Sequence, residues 1–162
     1  MSKEIIIVTI SLGNDGAERI LTELARQWHQ DGHKITVIQT SPNRYGTEYA
    51  LPEGIEQIQI HTTSSNKIIR FLQEIKVLVG ILKKRPRATC LSFLSASSFI
   101  LAISSWFVKN RIVFSERNNP RKVPVGKHQQ MLRDFAFRFA DAIVFQTEDA
   151  KSYFSKSIQS RG

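Results

Sequence analysis

Six short runs of apolar, largely β-branched residues alternate with stretches whose apolar residues return every three or four positions. No other feature constrains the fold as much, because strands and helices in strict alternation build a parallel sheet with helical crossovers. EIIIVTI, Glu4 to Ile10, is nearly continuous in its apolarity, as a strand buried on both faces must be. Ala17, Ile20, Leu21, Leu24 and Trp28 then repeat at helical spacing until Asp31-Gly32 stops the pattern. KITVIQ, Lys34 to Gln39, reads as a second strand, Pro42 to Gly54 as a loop, and the alternating Ile55 to His61 as a strand nearer the sheet edge.

A helix follows over about Asn66 to Lys84, with Ile68, Phe71, Leu72, Ile75, Leu78 and Leu82 on one stripe. That stripe is expected to bury against the sheet and leave Lys67, Arg70, Lys83 and Lys84 in water; the other reading sets this basic helix against anionic lipid. ATCLSFL is the fourth strand, with a helix start at Ser95, and RIVFS, Arg111 to Ser115, is the fifth. A helix over Lys127 to Ala140, the strand AIVFQ at Ala142 to Gln146, and a last helix starting near Thr147 to Asp149 complete the order. The expected fold is α/β: a Rossmann-like, doubly wound, mainly parallel sheet with helices on both faces.

The length of 162 residues with 41% hydrophobic content fits one domain. The single cysteine, Cys90, excludes a disulfide framework and a cysteine metal cluster, and makes a cytoplasmic setting the default. Ala88 to Val108 has no charge over 21 residues, long enough for a membrane span, but its six serines and the strand-then-helix pattern argue against one. No signal-peptide pattern surrounds the first strand.

The net charge of +9 is regional. Residues 1–61 carry five Lys and Arg against eight Asp and Glu, whereas residues 62–87 carry seven against one and residues 109–127 six against one. Such a surface suits nucleic acid, anionic lipid or a phosphorylated substrate, or simply water. No aromatic residues are interleaved with the basic runs as a stacking surface would require, so nucleic acid is not the expected partner.

In doubly wound sheets, ligands lie outside the carboxyl ends of the strands, near the point where strand order reverses. Attention therefore falls on Ser11 to Gly16, Leu94 to Ser98, Glu116 to Lys122 and Gln146 to Asp149. The first loop, SLGNDGAER, lacks the third glycine of a dinucleotide fingerprint and the lysine of a Walker loop, and the second strand ends without a ribose-binding acid. Asp15 and Glu18 fit a capping box at the helix start, which accounts for both acids without any ligand. His29 and His33 are separated by the helix-ending Asp31-Gly32, so a histidine pair for zinc is lost. The serines of residues 95–98 have no histidine nearby in sequence and read as helix caps.

Five segments in order carry a resemblance. GAER at Gly16 to Arg19, DGHKI at Asp31 to Ile35, LSFL at Leu91 to Leu94, FSERNNP at Phe114 to Pro120, and ADAIVFQTEDAKSYF at Ala140 to Phe154 are similar to the N-terminal domain of glycosyltransferases of family four, which have the GT-B fold. The resemblance covers about Glu4 to Phe154. It implies a retaining, hexosyltransferase-type enzyme about twice this long that uses a nucleotide-diphosphate sugar and builds polysaccharides or lipid-linked glycans. The chain would be its acceptor-side domain as a single unit over residues 1–162, inactive alone, with donor binding in a second half and no cofactor or metal. Attachment to the inner face of the plasma membrane and self-association through an exposed cleft face are further expectations.

By the same resemblance, Gly16 matches the second glycine of a pair lying near the donor diphosphate, where the missing Cβ and the helix dipole favour the anion. Asp15 stands where the family has the first glycine, so either it turns inward as a cap or the phosphate sits further off. Glu116 and Arg117 are the candidate catalytic residues: Arg117 could clamp a phosphate or sugar acid with its planar fork, and Glu116 could accept from an acceptor hydroxyl, or both could simply orient their loop. Ser115, Asn118 and Gln146 are the other substrate-binding candidates. The rivals are a basic anion- or nucleic-acid-binding module without catalysis and a stand-alone nucleotide-binding protein.

Overall fold

The computed structural model describes residues 2–13, 16–41, 49–93, 96–117, 119–122 and 126–162. In chain order the elements are β1 (Glu4–Thr9), α1 (Gly16–Gln30), β2 (Lys34–Gln39), β3 (Glu56–Gln59), α2 (Lys67–Lys83), β4 (Thr89–Phe93), α3 (Ala96–Ser104), β5 (Arg111–Glu116), α4 (Lys127–Phe137), β6 (Ala142–Phe145), α5 (Glu148–Ser152) and α6 (Lys156–Gln159). The six strands form one parallel sheet in the order β3-β2-β1-β4-β5-β6, so strand order reverses between β1 and β4. β1 is central: Ile7 sits opposite Val37 of β2 and Leu91 of β4. The strand expected near an edge, β3, is an edge.

Right-handed crossovers fix which face each helix covers. The step from β1 to β2 runs one way along the sheet, and the steps into β4, β5 and β6 run the other, so α1 lies on one face and α2, α3 and α4 on the opposite one. Strand alternation divides the core accordingly. Ile6, Val8, Cys90, Ile112, Phe114 and Ile143 pack with Leu78, Leu101 and Phe137 on the helix-rich face. Ile7, Ile35, Val37, Leu91 and Phe93 pack with Leu21 and Ala25 of α1 on the other. Both faces carry helices, as expected, but unequally.

The uncharged 21-residue run resolves into β4, α3 and a single tight turn at Ser105–Phe107. Among the described residues no helix is long and apolar enough to cross a membrane. The hydroxyls of Ser97 and Ser98 turn back to Ser92 at 3.1 Å each, and Ser98 also lies 3.0 Å from the Phe93 carbonyl; Ser95 lies outside the described residues. This knot ties α3 to the end of β4.

The stripe of α2 is divided. Ile75, Leu78 and Leu82 enter the core, worth about 1.5–3 kcal/mol each for full burial. Ile68 and Leu72, on the same stripe one or two turns earlier, are 72% and 58% exposed. The expectation that the whole stripe packs on the sheet thus holds only for the C-terminal part. The helix starts firmly all the same, because the Asn66 side chain accepts from the Ile68 and Ile69 amides at 2.9 and 3.3 Å.

Candidate functional site

Because all six strands are parallel, the loops leaving their carboxyl ends emerge on one rim. Gly16 opens α1 after β1, Ser115 and Glu116 end β5, Arg117 follows them, and Gln146 follows β6, all at this rim. Asp15 and Asn118 lie outside the described residues. The capping acid that can be seen, Glu18, reaches back to the β1 loop, where it accepts from the Ser11 hydroxyl at 3.1 Å.

Arg117 is held from two sides. Its guanidinium lies over the Phe93 ring, 5.4 Å from the centroid. With the Gln146 amide nitrogen turned toward the Arg117 carbonyl, that bond is 2.8 Å, and the Gln146 oxygen accepts from Arg117 Nη2 at 3.2 Å. The fork is therefore positioned before any ligand arrives, and it remains partly exposed. Ser115 lies on the same side of the sheet as Arg117, since residues two apart in a strand share a face. Both line a groove of about 630 Å³ that also borders Phe93, Val144 and the α1 residues Ile20 and Leu24. The structure thus brings α1, Ser115, Arg117 and Gln146 into one neighbourhood.

Glu116 points the other way. It follows Phe114 at a two-residue interval onto the helix-rich face, is almost fully buried, and faces Arg133 Nη1 of α4 at 3.9 Å. Its carboxylate thus lies on the side of the sheet that packs against α4, opposite to Arg117. Strand parity carried that signal: an acid two residues after a core phenylalanine faces the core side. Beyond it, Asn119 Nδ2 donates to Asp149 at 2.6 Å and Arg121 Nε lies 3.6 Å from the same carboxylate, which joins the β5 loop to α5.

A second groove, about 840 Å³, opens on the helix-rich side of the rim; none of its lining residues was a catalytic or substrate-binding candidate, although Lys67 and Arg70 belong to the helix whose other reading faced anionic lipid. Strand ends supply Ile10, Thr40, Ser41 and Ile60, the helices supply Phe71, Phe99 and Leu132, and His61, Lys67 and Arg70 add positive or protonatable groups. Glu74 also lines it, 3.9 Å from Arg70 Nε; burial raises its carboxyl above the ordinary 4.5, and Arg70 opposes that shift. The sequence signal was present in two apolar residues, Ile68 and Ile69, bracketed by Lys67 and Arg70.

Among the described residues no three His, Cys, Asp or Glu side chains gather as a metal site would need.

A family model described as Glycosyltransferase Family 4 matches residues 14–161. No curated protein sequence matches the chain. Among solved structures, Anabaena HepE in complex with UDP aligns with a TM-score of 0.73 at 15% identity, over 95% of this chain and 40% of that one. The UDP-GlcNAc 2-epimerase of Methanocaldococcus jannaschii aligns with a TM-score of 0.64 at 15% identity, over 94% and 41%. A glycosyltransferase from Rickettsia africae gives 0.59 at 16% identity, over 98% and 40%. The chain thus spans about two fifths of the length of each of these proteins. At such identities the likeness is one of fold.

Proposed function

The chain belongs to glycosyltransferase family 4, and from that premise we propose that it is the acceptor-side, N-terminal domain of a retaining glycosyltransferase. The enzyme moves a sugar from a nucleotide-diphosphate donor to a polysaccharide or lipid-linked glycan acceptor. The donor is held mainly by a second half, so the domain alone is inactive.

The observation that carries this reading is the prepared Arg117 fork at the carboxyl rim, fixed by Phe93 and Gln146 beside the groove that α1 borders. A planar guanidinium so placed offers two parallel donors to a phosphate or sugar acid. Gly16 leaves the start of α1 open to an anion: a Cβ built there meets nothing within 4 Å. HepE, which aligns over nearly the whole chain, was solved with UDP, and this supports a nucleotide-linked donor. Ser115 and Gln146 serve as positioning residues. Glu116 acts through Arg133 by holding the β5 end against α4. Asp15 and Asn118 stay in the proposal as substrate-binding residues on sequence grounds. The basic stretches of residues 62–87 and 109–127 support a peripheral position at the cytoplasmic face of the plasma membrane, and the open groove beside α1 offers a face for self-association.

The test joins the domain to its donor-binding half and follows transfer from labelled nucleotide sugars to glycan and lipid-linked acceptors. Transfer that disappears with Arg117→Ala at unchanged thermal stability is expected; absence of transfer from every nucleotide sugar overturns the reading.

A further inference from the structure

The stretch Asn119-Pro120-Arg121-Lys122 carries the chemistry of a tight turn. An asparagine stands first, where its side chain can bond forward, and a proline stands second, where its φ is already set. The structure forms that turn. The Lys122 amide donates to the Asn119 carbonyl at 3.0 Å, and the Arg121 amide donates to Asn119 Oδ1 at 3.0 Å. The turn is thus stiff in itself, and side chains from the segment after β6 fix its place against the domain.

These two segments meet along their length. Gln146 holds the Arg117 carbonyl at 2.8 Å. Asp149 accepts from Asn119 Nδ2 at 2.6 Å and lies 3.6 Å from Arg121 Nε. The Arg121 guanidinium also reaches Ser152 Oγ at 3.4 Å and lies over the Tyr153 ring, 5.8 Å from its centroid. Arg133, which faces Glu116, lies against the same ring at 5.4 Å. Arg117 is therefore bracketed: the residue before it faces Arg133, the turn that starts two residues after it is tied to Asp149, and both ties meet Tyr153.

Exposure separates this arrangement from what holds the fold. The side chains of Arg121 and Asp149 are 52% and 58% exposed, and ion pairs so open to water add little to global stability. Their effect is local, on where the turn rests. A fork that is aligned before its ligand arrives binds without an ordering cost, so the placing of this turn bears on how well Arg117 binds.

We propose that Asp149 and Arg121 are positioning residues for Arg117, a latch through which α5 sets the β5 loop and aims the fork at the donor phosphate. The proposal rests on the transferase reading above, which supplies that phosphate.

The 162-residue chain as it stands gives the first readout. The Arg117 guanidinium lies over the Phe93 ring, so the ring displaces its Nε–H signal in an NMR spectrum, and the absence of that signal in Arg117→Lys assigns it. Asp149→Ala and, separately, Arg121→Ala are expected to return the signal toward the position of a free arginine, with a thermal midpoint within about 2 °C of the parent. Asp149→Asn keeps an acceptor for Asn119 but loses the charge facing Arg121, and should fall between. In the joined enzyme the two alanine variants should raise the KM for the nucleotide sugar about tenfold and leave kcat within about twofold. An Arg117 signal unmoved in both alanine variants overturns the proposal, as does a loss confined to kcat. A midpoint lowered by more than about 5 °C in both assigns the pair to the fold instead. A moved signal with no transfer from any nucleotide sugar leaves the latch standing and removes the transferase reading; transfer with an unmoved signal does the reverse.

Discussion

Arg133 of α4 and Glu116 at the end of β5 face each other at 3.9 Å, with 5% and 2% of their side chains exposed. The guanidinium also lies over the rings of Phe154 and Tyr153, at 4.6 and 5.4 Å, and its Nε bonds Asp134 at 3.1 Å. One arginine therefore links β5, α4 and the segment after α5, directly behind the rim that bears Arg117.

Removing Glu116 takes the buried counter-ion from Arg133 and leaves its guanidinium with the more exposed Asp134 and the two rings. Glu116→Leu is expected to lower stability by about 3–5 kcal/mol, and the double variant with Arg133→Met to recover most of that loss. Chemical denaturation of the four proteins of this cycle measures it. Additive losses in the double variant would show that the two side chains do not act as a pair.

Arg117 makes a sharper functional prediction. Arg117→Lys keeps the charge but loses the fork and the stack on Phe93, so sugar transfer by the joined enzyme should fall about 10- to 100-fold, the equivalent of a charged hydrogen bond. The partly exposed position predicts a thermal midpoint close to that of the parent. A fall in stability matching the fall in rate would assign Arg117 to the fold instead.

The two parts of the α2 stripe separate by the same substitution. Leu82→Ala, in the core, should cost about 2–5 kcal/mol, whereas Leu72→Ala should stay within about 0.5 kcal/mol. Equal losses would mean that the exposed patch packs against something in solution.

Cys90 links pH to stability. Burial, with a smaller contribution from the Glu4 carboxylate, pushes its thiol from the ordinary 9.0 up to about 12. The folded state thus keeps the proton that the unfolded state releases, and stability present below pH 9 is lost as pH rises toward 12. Cys90→Ala should flatten that part of the stability profile, and the native thiol should resist alkylation at pH 8 until the chain unfolds. Rapid alkylation of the folded protein at that pH would contradict the burial.

Fold and site were legible to different depths. The element order could be read because each strand and helix states its own period, and the crossover rule then leaves few sheets. Side-chain direction was less accessible. Glu116 and Arg117 are neighbours in a polar cluster; strand parity sets them on opposite sides, and the structure shows that one faces α4 and the other Phe93. The groove beside α2 escaped because a helical stripe looks the same whether its partner is the sheet or a ligand. Ile68 and Ile75 share the stripe, and the tertiary arrangement of α3 and α4 alone distinguishes them.

The central place of β1 also bears on how the chain is made. One of its edges meets β2 within forty residues, but the other waits for Thr89 to Ser92 of β4. A nascent chain paused before that point presents this largely apolar strand with an open backbone edge, the condition under which stray pairing between unfinished molecules begins. Ribosome-stalled lengths that end before β4 are accordingly where chaperone capture should concentrate, and it should fade once Phe93 has cleared the exit tunnel.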